Sequence, residues 1–210
     1  MSFRDLLAEE FLPYGQLSES QLDQLDRHYS LVMHWNERLN LTRIRSLQEV
    51  VQFHYCESLF LARTLPPGPL RVMDVGSGAG FPGIPVAVFR KDCDVSLIEA
   101  HQRKAVFLRE AARGLSNVSV IADRAEGGKA SADWLVARAV RPNLVLSLRL
   151  TPAVALLTTT SDLEVVPEPF DVVRVPWGKD RIIAMFHVKH AKIDNRGEGN
   201  RDHESEGRRR

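Results

Sequence analysis

The segment Asp74-Val75-Gly76-Ser77-Gly78-Ala79-Gly80-Phe81-Pro82-Gly83-Ile84-Pro85 decides how the rest of the chain is read. An apolar run from Leu70 to Val75 enters it, and a second from Ile84 to Phe89 leaves it. That pattern predicts strand, glycine turn, helix. Glycines at three alternate positions let the backbone turn tightly and approach a ligand with no Cβ in between. Pro82 and Pro85 suit the first turn of the helix, where amides lack partners in any case. Those free N–H groups are expected to face a ligand of nucleotide type. An ordinary strand-to-helix turn can also need glycines for packing, so other residues must choose between the two readings.

Upstream, Ser18-Glu19-Ser20-Gln21 reads as a capping box. After it Leu22, Leu25, Tyr29, Val32, Trp35 and Leu39 recur at helical spacing. Ser46-Leu47-Gln48-Glu49 reads as a second capping box, opening a helix with Val50, Phe53, Ser58, Phe60 and Leu61 that ends by Pro66-Pro67-Gly68-Pro69. Residues 1–69 are therefore expected to form an N-terminal helical cap. From Leu70 strands alternate with helices: strands at Leu70–Val75, Asp94–Ile98, Asn117–Ile121, Trp134–Ala137 and Ala153–Thr159, with helices at Pro82–Arg90, Gln102–Gly114 and Asn143–Leu150. This alternation predicts an α/β domain over 70–190, a parallel sheet with helices on both faces. Val172–Val175 and Arg181–Val188 flank a turn and predict a closing antiparallel pair. Residues 191–210 contain one strong apolar residue, Ile193, amid charge, and are expected to be a disordered tail.

Composition excludes several classes. No run reaches the roughly 20 apolar residues of a membrane span, and Met1-Ser2-Phe3-Arg4-Asp5 does not open like a signal peptide. Cys56 and Cys93 stand far apart without metal-ligand spacing, which suits a reduced cytoplasmic setting and no metal. The net charge is only +1, but it is uneven: residues 1–50 carry five basic and eight acidic residues, and residues 101–149 nine basic and four acidic. A positive middle is suited to phosphate. His187-Val188-Lys189-His190 is read as structural, because strand positions three apart face opposite ways.

In open parallel sheets ligands sit beyond the carboxyl ends of the strands. The second strand ends at Glu99, 19 residues beyond Gly80, where a carboxylate can accept from both hydroxyls of an adenosine ribose. A dinucleotide fingerprint wants Gly-x-Gly-x-x-Gly, but here the third glycine, Gly80, falls one place early. Asp74-x-Gly76-x-Gly78-x-Gly80 instead resembles the first motif of S-adenosylmethionine-dependent methyltransferases. Three further groups sharpen the resemblance: Trp35-Asn36-x-x-x-Asn40-Leu41-Thr42, His54-x-x-Glu57-Ser58, and Arg103-Lys104 with Phe107-Leu108. Arg124-Ala125-Glu126 and Ala137-Arg138-Ala139 join them. Together they resemble the bacterial small-subunit (16S) ribosomal RNA guanine-N7 methyltransferases, the RsmG or GidB type, over roughly residues 18 to 140. The chain departs from that family at Glu57, where the family has Asp, and after Arg138, where a Lys-Gly pair is missing.

The resemblance implies a Rossmann-like class I methyltransferase fold with S-adenosylmethionine as cofactor. It implies cofactor contacts at Gly76, Phe81, Ala125, Glu126 and Arg138, to which the residue reading adds Gly78 and Glu99. Phe81 would offer apolar contact, and Arg138 would hold a carboxylate or an RNA phosphate. Arg103, Lys104, Arg109 and Arg124 are candidates for rRNA phosphates. The expected partner is small-subunit rRNA or the subunit particle, met by a monomer. Guanine N7 carries a lone pair and no proton, so no general base is expected. The alternatives are another RNA or small-molecule methyltransferase on the same fold, a nicotinamide-dependent oxidoreductase, disfavoured by the displaced third glycine, and a non-catalytic RNA-binding module.

Overall fold

The computed structural model describes residues 1–125 and 132–188. The tail at 191–210 lies outside them. The elements in order are α1 (Phe3–Phe11), α2 (Glu19–Leu39), α3 (Leu47–Val50) running on into α4 (Glu57–Thr64), β1 (Arg71–Val75), α5 (Gly83–Phe89), β2 (Asp94–Ile98), α6 (Gln102–Ala111), β3 (Val118–Ile121), β4 (Trp134–Arg138), α7 (Pro142–Ser147), β5 (Ala153–Thr159), β6 (Asp171–Arg174) and β7 (Arg181–His187). A 3-10 turn, Thr160–Val165, follows β5. The seven strands form one sheet in the order β3-β2-β1-β4-β5-β7-β6. The first five are parallel, and β7 runs antiparallel between β5 and β6. The expected closing pair is thus present, and β7, not β6, inserts beside β5. The chain order reverses between β1 and β4, the position where ligands settle in such sheets.

Alternation along the strands sorts the core into two layers. Val72 of β1, Trp134 and Val136 of β4, Ala155 of β5 and Ile183 of β7 face a large core shared with α1, α2, the 47–64 helical run, α5 and α6. Met73, Leu135, Ala137, Val154 and Ala184 face the other way, against Val145 of α7 and Leu163 of the 3-10 turn. The N-terminal helices therefore pack on one face of the sheet as part of its core.

The Ser18 capping box is present, with the Ser18 hydroxyl accepting from Gln21 N–H and the Gln21 side chain accepting from Ser18 N–H. The box expected at Ser46 is not: Ser46 precedes α3 but makes no side-chain cap hydrogen bond. The helix after it is also not uniformly α. Val51–Cys56 form a π turn, which slips the register and buries His54, Tyr55, Cys56 and Glu57 together. Such insertions are frequent at functional sites.

Gly83 opens α5 against the sheet. A Cβ there would fall on the Leu97 side chain and 2.6 Å from Asp74 Oδ2. Gly83→Ala is expected to destabilise the fold by about 1–3 kcal/mol through overpacking. In urea this is a lower midpoint at unchanged slope, and an unchanged midpoint would refute the packing argument.

Candidate functional site

The glycine turn is closed by its own protein. Gly76 and Ser77 N–H donate to the Ile98 carbonyl at 2.9 and 3.1 Å, and Gly80 N–H to the Ser77 carbonyl at 2.7 Å. Gly78 N–H donates to Glu99 Oε2 at 2.9 Å, and Gly83 N–H to Asp74 Oδ2 at 3.0 Å. The expectation that free amides of this turn face a ligand is therefore corrected for Gly76, Ser77, Gly78, Gly80 and Gly83, whose acceptors are the Ile98 and Ser77 carbonyls and two buried carboxylates. What the turn offers instead is shape. Gly76, Gly78 and Gly80 all hold positive φ, and a Cβ on Gly78 would meet nothing nearer than the Gly76 carbonyl at 3.7 Å.

A cavity of about 300 Å³ opens at the carboxyl ends of β1, β2 and the strand beyond. Val75, Gly76, Ile98, Glu99, Asp123, Arg124 and Ala125 form one side, and Val140, Leu144, Val145 and Leu148 the other. Glu99 is held at two points, since its Oε1 also accepts from His101 N–H at 2.8 Å. Each carboxylate oxygen keeps a further lone pair for a hydroxyl. A fixed carboxylate beside an apolar slot suits a ribose with a planar base behind it.

Gly76, Glu99 and Ala125 therefore meet at one cavity, and Gly78 supports it by fixing Glu99. Glu126 lies outside the described residues. Two residues expected at the cofactor do not line this cavity. Phe81 is 3% exposed and packs into the helical layer, with its ring stacked on His54 at 4.8 Å and edge-on to His28 and Tyr55 at 5.0 Å each. Its side chain lines neither this cavity nor the next. Arg138 sits over the Phe81 ring, 4.9 Å from its centroid. It shares the parity of Trp134 and Val136, so it faces the helical layer. Asp133, which precedes β4, pairs with Arg71.

Arg138 lines a second cavity of about 500 Å³ with Ile44, Phe53, His54, Thr159, Lys179, Asp180 and Arg181. Arg181 was not legible as a site residue. It forks onto Glu57, with Nε donating to Oε1 at 2.7 Å and Nη2 to Oε2 at 2.5 Å. His28 was missed as well. Burial holds its pKa down at about 4. A neutral ring placed 2.9 Å from the Ala79 carbonyl and 3.0 Å from the Tyr55 hydroxyl must donate through Nε2 and accept through Nδ1. It thereby ties α2 to the glycine turn. A helical residue on the apolar face of α2 was the available signal.

The four basic candidates are spread over α6 and the segment after β3. Arg103 and Lys104 lie in the first turn of α6, Arg109 in its last turn, and Arg124 at the rim of the smaller cavity. Lys189 and His190 lie outside the described residues, and His187 stacks on Phe170 at 4.1 Å. Among the described residues no cluster of His, Cys, Asp and Glu suits a metal ion, and no helix is long and apolar enough to cross a membrane.

The family model of the rRNA small subunit methyltransferase G family, GidB, matches residues 21–154. The chain belongs to that family. The ribosomal RNA small subunit methyltransferase G of Chromobacterium violaceum is 42% identical over 113 residues, covering 53% of this chain and 54% of that protein. The protein of the same name from Desulforamulus reducens is 36% identical over 149 residues, covering 67% and 62%. The chain spans about half to two thirds of the length of the curated relatives it matches. Among solved structures, a SAM-dependent methyltransferase from Aquifex aeolicus superimposes with a TM-score of 0.53 at 17% identity, over 67% of this chain and 93% of that one. A methyltransferase from Pyrococcus furiosus gives 0.52 at 16%, over 79% and 98%. These likenesses establish the α/β Rossmann-like fold of methyltransferases, as expected from the strand–helix alternation.

Proposed function

We propose that this chain transfers a methyl group from S-adenosylmethionine to N7 of a guanine in small-subunit (16S) ribosomal RNA, as a cytoplasmic monomer. The observation that carries the reading is the cavity in which Gly76, the doubly held Glu99 and Ala125 meet at the strand switch point of a GidB-family chain. Its chemistry fits the cofactor: Glu99 would accept from the ribose hydroxyls, Ile98, Ala125, Leu144 and Leu148 would flank the adenine, and Gly76 would admit the methionine end. When bound, the sulfonium supplies an electrophilic methyl group. Guanine N7 offers a lone pair and no proton, so the protein's task is alignment and exclusion of water, without a general base. An RNA major groove is too deep and narrow for side chains to read, so the target guanine should lie in a loop or be extruded. Arg103, Lys104, Arg109 and Arg124 are proposed to meet rRNA phosphates.

The deciding experiment is mass spectrometry of 16S rRNA from a strain lacking the gene, with and without its restoration. A missing N7-methylguanine that returns supports the reading, and an unchanged nucleoside profile ends it. Within the site, Glu99→Gln is expected to weaken binding of S-adenosylhomocysteine at least about tenfold, the loss of a charge-assisted hydrogen bond. Calorimetry checks this, and undiminished affinity would remove Glu99 from the cofactor site.

A further inference from the structure

Three motifs of the sequence, Trp35-Asn36, Asn40-Leu41-Thr42 and His54-x-x-Glu57, have no place in the smaller cavity, and the structure joins them at the larger one. Asn36, buried on α2, grips the backbone of Thr42 with both amide atoms: Nδ2 donates to the Thr42 carbonyl at 3.0 Å, and Oδ1 accepts from Thr42 N–H at 2.8 Å. Asn40, at φ 47°, turns the chain between them. Thr42 Oγ1 accepts from Ile44 N–H at 3.1 Å and lies 2.7 Å from His54 Nε2. His54 Nδ1 lies 2.7 Å from Arg138 Nη1.

A guanidinium has donors only. Nδ1 must therefore accept, and His54 is neutral with its proton on Nε2, donated to Thr42. Burial, with the Arg138 charge beside it, holds the His54 pKa down at about 3, in keeping with that state. Arg138 Nη1 also donates to the Phe53 carbonyl at 2.6 Å. Its hydrogen bonds within the described residues leave from this one nitrogen, while the side chain lines the 500 Å³ cavity. Arg181 and Lys179 share that lining with a single carboxylate, Asp180. Glu57 balances Arg181, so Arg138 and Lys179 against Asp180 leave the wall cationic.

We propose that His54 is a positioning residue that aims Arg138 into this larger cavity, where the family resemblance already expects that arginine to hold an anion. The anion is the carboxylate of the methyl donor or a phosphate of the RNA; naming these two sources rests on the methyl-transfer reading, whereas the positioning of Arg138 does not.

The first test uses the full chain without ligand. Nitrogen-15 NMR of the imidazoles at pH 7 is expected to show His54 with Nε2 protonated and Nδ1 bare, and a protonated Nδ1 overturns the proposal. The second compares His54→Asn, which leaves an acceptor near the Nδ1 position, with His54→Gln, whose polar end lies near Nε2. The probes are S-adenosylhomocysteine, methylthioadenosine (which lacks the amino-acid end) and unmethylated small-subunit particles. If the anion is the carboxylate, His54→Gln loses about tenfold in affinity for S-adenosylhomocysteine and nothing for methylthioadenosine. If it is a phosphate, cofactor affinity is kept and KM for the particle rises about tenfold. In both cases His54→Asn stays within about twofold of the parent. Equal behaviour of Asn and Gln, or equal losses for both adenosine ligands, overturns the proposal. A parent protein that binds no S-adenosylhomocysteine fails the methyl-donor reading instead, and the NMR result then decides the positioning alone.

Discussion

Truncation of Arg181 to alanine is expected to lower the stability of the fold by about 3–5 kcal/mol at pH 7.5, the usual consequence of leaving a buried charge without its partner. Glu57 is 0% exposed, and both of its oxygens are taken by Arg181. Burial raises the pKa of its carboxyl, and the Arg181 hydrogen bonds and charge pull it back. Without Arg181 the burial acts almost alone. A carboxyl whose pKa is raised by folding contributes stability that is fully present below its unfolded pKa and lost as pH rises through the folded one. Arg181→Ala should therefore approach the parent near pH 4.5 and fall furthest behind above pH 7. Urea unfolding across that range checks this. The double variant Glu57→Leu with Arg181→Met should regain most of the loss, since an apolar pair asks for no desolvation of charge. A small deficit that does not change with pH would sink the account.

Asp74 should contribute strongly to the pH dependence of stability. It is fully buried in the glycine motif, Oδ2 accepts from Gly83 N–H, and Oδ1 has no partner among the described residues. Desolvation raises its pKa to about 7, against the opposing pull of the Gly83 amide. The direction is again that of a raised carboxyl: the contribution is whole below about pH 4 and is lost as pH climbs through 7. At 1.36 kcal/mol per unit, that is a swing of about 4 kcal/mol between pH 4 and pH 8. Asp74→Asn retains an acceptor for Gly83 and cannot ionise. Relative to the parent it should gain about 4 kcal/mol over that interval, whatever its offset at pH 4. Parallel stability profiles for the two proteins would show that Asp74 does not ionise in this range.

Much of the architecture was legible locally. Asp94–Ile98 and Ala153–Thr159 fall where the alternation of strands with helices placed them, and the Ser18 box caps α2 as read. The glycines at 76, 78 and 80 hold the positive φ that only glycine adopts easily. What failed locally failed for a physical reason. Ser46 makes no cap hydrogen bond although the pattern is present, and the π turn at Val51–Cys56, with its wider turn, leaves no periodic trace. The turn amides looked free because their acceptors, the Ile98 carbonyl and the Glu99 carboxylate, lie at the end of β2 and just beyond it.

The sequence by itself determined the strands and main helices, their order, the family and the three residues that meet at the smaller cavity. Backbone conformation and hydrophobic period are properties of neighbouring residues, and β1 and β2 each end beside that cavity. Only the tertiary structure decided the larger cavity. Arg138 reaches His54 across 84 positions and Arg181 reaches Glu57 across 124. Those meetings depend on the β7 insertion beside β5, on the parity that turns Arg138 toward the helices, and on the π turn that aims His54 and Glu57 inward. Each sets how one element lies against another, which no local pattern of residues encodes.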